Sequence, residues 1–253
     1  MNKRIILFSL LLTSLHTTGW SQTYRKTETG VKTSVQSMDV EVQFFTPQIV
    51  RITKQPAGVS VKNKSLSVIA SPQKLPLTIT TPTNEVKVSS GPLQVTINQQ
   101  TGAIRFYGVG GNLLFQEKEN GTHFSPSKDS GSYAIKQDFQ LSEDEPVYGL
   151  GQHQKGLMNQ RGQQLQLKQN NMQIAVPFFQ SIKGYGVLWD NNSTTTFNDK
   201  ADGTSFESEV ADGADYYFVY GGNADKVVAG YRQLTGQAPM FPRWTLGYWQ
   251  SRE

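Results

Sequence analysis

The sequence predicts a mainly β, antiparallel fold with a single helix towards its C-terminal end, and three observations carry that prediction. Apolar and polar residues alternate in short runs, as where Val40, Val42 and Phe44 are interleaved with Glu41 and Gln43, which is the period of a half-buried strand. Such runs recur at close spacing with turn-forming residues between them, the pattern of an antiparallel meander. Helical periodicity with matching caps occurs once, over residues 223–236,.

Taken in order, the chain opens with an export signal. Lys3 and Arg4 form a positive start, residues 5–12 (IILFSLLL) an apolar core, and Gly19-Trp20-Ser21 before Gln22 a set of small residues where a signal peptidase would cut,. The apolar run is too short to span a bilayer. A periplasmic or secreted protein, cleaved near Ser21-Gln22 and without a membrane span thereafter, is expected.

Strands follow around 40–44 and 49–52. Residues 54–82, rich in Pro, Ser, Lys and Thr, are expected to wrap a sheet edge with one strand at 66–70. Runs at 85–89, 93–97 and 104–107 continue the meander, and 112–124 gives another edge and a polar turn. Extended character resumes at 133–141 and 146–150, and Leu165 and Leu167 alternate with Gln164, Gln166 and Lys168. Residues 174–181 and 184–190 flank a tight turn and form the clearest hairpin. Strands at 194–197, 205–210 and 215–220 complete the series, with Asp212-Gly213 as a hairpin turn.

The helix has Asn223 as N-cap, Asp225 at the positive end of its dipole, Val227, Val228, Tyr231 and Leu234 on one face and Gly236 to close it,. Pro239 and Pro242 make a stiff linker. Residues 241–253 (FPRWTLGYWQSRE) then run apolar to polar, as a buried strand delivering side chains to a site would. We expect them to open a second domain, giving a division into a leader (1–21), a β domain (22–222), a helix and linker (223–240) and a truncated barrel start (241–253).

Bulk properties exclude several classes. The 253 residues suffice for one sizeable β domain or two small ones,. Lys3 and Arg4 leave with the leader, so 24 basic against 20 acidic residues become 22 against 20. That near-neutral balance is scattered rather than patched, which argues against nucleic acid. With no cysteine there is no disulfide framework, thiolate site or lipidated anchor,. Only His123 and His153 remain outside the leader, so a multi-histidine metal centre is not expected; no metal site or cofactor is assigned.

Four stretches together resemble glycoside hydrolase family 31. Val147-Tyr148-Gly149-Leu150-Gly151 is similar to that family's YGLG strand, residues 176–191 (VPFFQSIKGYGVLWDN) to its hairpin, and 215–221 (DYYFVYG) to the segment before a helix. Residues 242–253 look like the opening of its catalytic barrel. The resemblance implies an antiparallel β-sandwich of the galactose-mutarotase-like type. In the parent enzyme a (β/α)₈ barrel follows, of which only the first strand is present here. It also implies a retaining α-glycosidase acting on terminal α-linked xylose or glucose of oligosaccharides, the Gln250-Ser251-Arg252 form being most like α-xylosidases.

Retaining glycosidases use two carboxyl groups about 5–5.5 Å apart. The family's pair lies on later barrel strands, so no catalytic residue is assigned here and the fragment alone is expected to be inactive. Asp190, Asp199, Asp202, Asp212 and Asp215 read as turn-shaping residues, Glu143-Asp144-Glu145 as a solvated loop, and Glu207 and Glu209 as the solvent side of a strand. The resemblance puts a loop after the YGLG strand over the barrel mouth, which corresponds to Gln169-Asn170-Asn171. The amides of Asn170 and Asn171 can donate to and accept from sugar hydroxyls, and an Asn-rich hairpin turn accounts for them equally well. Trp249 and Gln250 fall at the carboxyl end of the first barrel strand, where such enzymes place their sites. There the Trp249 indole could stack on a sugar or simply pack, and Arg252 could take a hydroxyl. Trp189 is assigned to the core. A non-catalytic carbohydrate-binding sandwich is the alternative reading, and a mutarotase, which needs a histidine and a carboxylate as acid and base, is a weaker third.

Overall fold

The computed structural model describes residues 24–59, 64–129 and 131–252. In chain order its strands are β1 (Arg25–Lys26), β2 (Gly30–Val35), β3 (Met38–Thr46), β4 (Ile49–Pro56), β5 (Thr78–Thr80), β6 (Glu85–Ser89), β7 (Gln94–Asn98), β8 (Ile104–Tyr107) and β9 (Leu113–Pro126). They continue as β10 (Tyr133–Gln140), β11 (Val147–Gln152), β12 (Gln164–Leu167), β13 (Ile174–Ser181), β14 (Tyr185–Trp189), β15 (Thr195–Lys200), β16 (Gly203–Ala211) and β17 (Ala214–Tyr220). One helix follows, α1 (Ala224–Thr235). The expected leader, residues 1–21, lies outside the described residues.

Two antiparallel sheets stack face to face. The first runs β1-β2-β3-β4-β17-β14-β13-β11 and the second β12-β15-β16-β10-β9-β8-β7-β6-β5. Strand alternation dictates this layering. In β3, Val40, Val42 and Phe44 face the other sheet, while Phe45 turns outward to a second apolar cluster. Aromatic rings fill the space between the sheets: Phe106 stacks on Phe218 at 4.2 Å, and Trp189 lies 7° from coplanar with Phe206. Trp189 is fully buried, as its sequence setting implied, and its indole N–H donates to Ser208 Oγ at 2.9 Å. A buried indole needs such a partner.

The helix packs on the outer face of the first sheet. At 12 residues it is marginal in isolation,, and burial of Val227 and Leu234 against Phe45, Ile49, Leu188 and Val219 holds it there. Asn223 caps it by accepting from Lys226 N, and Gly236 closes it. Val228 is exposed, so the apolar face is narrower than the sequence suggested. Tyr231 joins Val227 and Leu234 on that face, its ring tilted 31° against Phe178 with centroids 4.4 Å apart.

Four expectations need correction. Residues 66–70 form no strand; Ile69 N and Ala70 N both donate to Leu234 O (2.9 and 3.2 Å), so the chain satisfies an orphan carbonyl of the last helical turn,. Residues 112–124 are not an edge: all but Asn112 belong to β9, which pairs with both β8 and β10; the polar residues that suggested an edge include Glu117, which is buried. Asp212-Gly213 is not a hairpin turn. β16 pairs with β10 and β15, whereas β17 pairs with β4 and β14, so these two residues carry the chain across from one sheet to the other. Glycine is needed at 213 because a Cβ there would stand 2.5 Å from Lys54 O. Residues 241–253 contain no strand among those described, as taken up below.

Candidate functional site

The candidate site grows from β11, whose sequence Val147-Tyr148-Gly149-Leu150-Gly151-Gln152 departs from regular extended geometry. Gly149, Leu150 and Gly151 all have positive φ, at 122°, 65° and 94°. The left-handed region costs a non-glycine residue about 1–2 kcal/mol, so Leu150 is strained, and burying its side chain in the core offsets that cost. Glycine at 151 is obligatory, since a Cβ would come within 1.9 Å of Ile174 O. Past Gln152 the chain loops out and returns along the same strand: Gln160 N donates to Val147 O at 2.9 Å and Asn159 bridges Tyr148. An edge strand is thereby covered.

The loop is anchored by charge. Arg161 donates from Nε to Asp199 (2.9 Å) and from Nη1 to the carbonyls of Ser142 and Glu145, while Gly162 N also donates to Asp199. β12 then leads into a turn in which Asn170 bridges Gln173, Asn171 N donates to Asn170 Oδ1 (2.8 Å) and Gln169 Nε2 donates to Gln173 O. Both asparagines are exposed. The Asn170 side-chain oxygen serves the turn, as the turn reading expected.

The C-terminal segment takes a different form from the strand expected of it. Arg243–Leu246 is a 3₁₀ turn, tied by Thr245 Oγ1 donating to Pro242 O and by the Trp249 indole donating to Thr245 O at 2.8 Å. Trp244 and Trp249 rings meet at 6.0 Å. A strand is made by its neighbours' hydrogen bonds, and no described strand pairs with these residues. Tyr248 is 89% and Trp249 67% exposed, and Gln250 and Arg252 are exposed too. Trp249 is therefore not a core residue of this sandwich. Among the described residues no hydrogen bond or ring contact joins this segment to the Asn170–Asn171 turn.

Acidic residues that read as surface features are in part structural. Asp215 receives both Nε and Nη2 of Arg51, and burial pushes its carboxyl up to about 6 against the pull of that guanidinium. Asp199 is buried beside Arg161, and Glu145 is buried rather than solvated, accepting from Ser181, Tyr185 and Lys183. Burial alone would raise the Glu145 carboxyl; those bonds, with that from Ser142 N, outweigh it and hold it below its ordinary value. Glu209 is exposed and Glu207 half-buried, as alternation required. His123 meets Asp138 at 3.5 Å on the exposed side of the second sheet, whereas His153 follows β11 in the first. The left-handed bend and its neighbours are what sequence reading missed, although the spacing of Gly149 and Gly151 was its visible trace.

Two stacked antiparallel sheets with one outer helix define a β-sandwich domain. The model of the glycosyl hydrolase 31 N-terminal galactose mutarotase-like domain matches residues 39–198. An α-xylosidase of Saccharolobus solfataricus is 34% identical over 229 residues, which cover 87% of this chain and 31% of that protein. The chain belongs to glycoside hydrolase family 31. Alpha-glucosidase 2 of Bacillus thermoamyloliquefaciens is 26% identical over 228 residues, covering 84% of this chain and 28% of that one. The chain thus spans under a third of the length of these two relatives. The crystal structure of an α-xylosidase from Xanthomonas citri superposes with a TM-score of 0.84 at 22% identity, covering 90% of this chain and 42% of that one. The sandwich architecture is accordingly that of family 31. No helix among the described residues is long and apolar enough to cross a membrane.

Proposed function

We propose that this chain is the N-terminal part of an exported, periplasmic or secreted, retaining α-glycosidase that removes terminal α-linked xylose or glucose from oligosaccharides. The observation that carries this reading is the 34% identity to an α-xylosidase across 87% of the chain. On this reading residues 22–222 form the sandwich, 223–240 a helix and linker, and 241–253 the start of a catalytic barrel that holds both carboxylates. The sandwich is scaffold and contributes one loop, whose Asn170 and Asn171 hydrogen-bond sugar hydroxyls. Trp249 stacks on a sugar ring, with Gln250 and Arg252 beside it as polar contacts. The exposure of Phe241, Trp244, Leu246, Tyr248 and Trp249 supports a further protein surface covering them,.

The test compares the 253-residue chain with the product of the complete gene on an aryl α-xyloside and an aryl α-glucoside. Turnover, of the xyloside, the glucoside or both, is expected only from the product of the complete gene. Turnover by the chain alone refutes the assignment of catalysis to the downstream barrel.

A further inference from the structure

The bend in β11 has a latch. Gly149 pairs with Phe179 and Gly151 with Ala175, so three residues of β13, Val176, Pro177 and Phe178, stand opposite Leu150 alone. Pro177 has no N–H to give to a ladder. The Leu150 carbonyl is met instead by His153 Nε2, at 2.9 Å. The imidazole can donate there either as its Nε2–H tautomer or as imidazolium, so the contact survives a change of protonation. Leu150 is then fixed twice, by its side chain in the core and by its carbonyl on His153.

Beyond the bend, Gly151 pairs with Ala175 and Gln152 with Ile174. Ile174 directly follows Gln173, which closes the Asn170 turn. Relaxation of the bend would move Gln152, hence Ile174, hence the root of that turn. We propose that His153 is a positioning residue, whose hydrogen bond to Leu150 O holds the left-handed bend and through it sets where the Asn170–Gln173 turn stands against the substrate. This rests on the reading that the turn touches sugar.

The experiment uses the product of the complete gene and reads two quantities for His153→Ala, His153→Gln and the pair Asn170→Ala/Asn171→Ala. Hydrogen exchange over residues 164–176 reads the latch without reference to substrate. In His153→Ala it is expected to speed by about two- to tenfold, the factor equivalent to one net hydrogen bond. KM for the aryl α-xyloside should rise by a comparable factor with kcat nearly unchanged, as when binding common to ground and transition states is lost. His153→Gln, whose amide can donate in the same direction, should restore both. If Asn170→Ala/Asn171→Ala raises KM while His153→Ala changes neither quantity, the latch is overturned and the sugar-contact reading stands. If exchange speeds in His153→Ala but neither variant alters KM, the sugar-contact reading falls, and the positioning role with it. Should His153→Ala fail to fold, the imidazole ¹⁵N signals of the wild type decide: a proton on Nε2 supports the latch, and a bare Nε2 overturns it.

Discussion

Removing the cation at position 54 should destabilise the sandwich in a way that neutralising its partner repairs. Lys54 of β4 and Glu117 of β9 reach across the interface between the sheets at 1% and 0% side-chain exposure and form an ion pair. Glu117 also accepts from Tyr216 OH at 2.8 Å and from Ile104 N at 2.7 Å, and Lys54 donates to Thr122 Oγ1. Burial pulls Lys54 below its ordinary pKa and pushes Glu117 above its own, each partner opposing the shift of the other. Breaking one side of such a pair costs about 3–5 kcal/mol, because a charge is left uncompensated in the interior. Lys54→Met should therefore cost about that much, a large part of the roughly 5–15 kcal/mol that holds a typical domain. Lys54→Met/Glu117→Gln should recover most of the loss, since no charge is left inside: the amide oxygen can keep the bond from Ile104 N, and the amide nitrogen, standing where the second carboxylate oxygen stood, can donate to the Tyr216 hydroxyl oxygen,. Urea unfolding of the chain followed by tryptophan fluorescence, with buried Trp189 as reporter, measures both. At a slope of about 3 kcal/mol per molar, the single variant should shift the midpoint by about 1 M or more. The sign of the pH dependence is also fixed. With Lys54 gone, a Glu117 held above its unfolded value binds more protons folded than unfolded, so the variant should lose stability as pH rises from about 4.5,. Equal midpoints for the single and double variants would refute the assignment of the cost to buried charge.

Two further outcomes follow from the site and its supports. Asn170→Ala/Asn171→Ala, made in the product of the complete gene, should raise KM by about thirtyfold if two net hydrogen bonds to sugar are lost, while its thermal midpoint stays within a few degrees; steady-state kinetics and calorimetry check this. Glu145 contributes stability with the opposite sign to Glu117 in the Lys54 variant. Its folded value is depressed, so its contribution is present above about 4.5 and is lost as pH falls through the folded value,. Glu145→Gln should flatten the acid limb of a stability-versus-pH curve, and an unchanged limb would count against the hydrogen bonds from Ser181, Tyr185 and Lys183.

Local patterning made much of the fold legible. Val40, Val42 and Phe44 face the core because strand side chains alternate, and Asn223 and Gly236 bound the helix because of the backbone groups that helix ends leave open,. The turn at Ile182-Lys183-Gly184 joins β13 to β14 as read from sequence, since Gly184 takes the positive φ that the reversal needs. Of the short motifs behind the family resemblance, 147–151 and 176–191 lie within the family match to residues 39–198.

What a chain segment meets across the molecule is not encoded in its own pattern, and there the tertiary structure decided. Asp212-Gly213 has the chemistry of a hairpin turn, yet its flanking strands have partners in different sheets. Glu117, Glu145, Asp199 and Asp215 carry the polarity of surface residues, and only the arrival of Lys54, Lys183, Arg161 and Arg51 from distant positions makes their burial tolerable. Residues 241–253 show the same dependence from the other side. Their apolar run reads as a strand, but strand geometry comes from a neighbour's hydrogen bonds; no described strand pairs with them, and Arg243–Leu246 take a 3₁₀ turn. By itself the sequence determined where strands and the helix can form, because that follows from the period of side chains along the backbone. Which strands share a sheet, which charges lie inside it, and how Gly149-Leu150-Gly151 bends beneath the Asn170 turn were settled only by long-range packing.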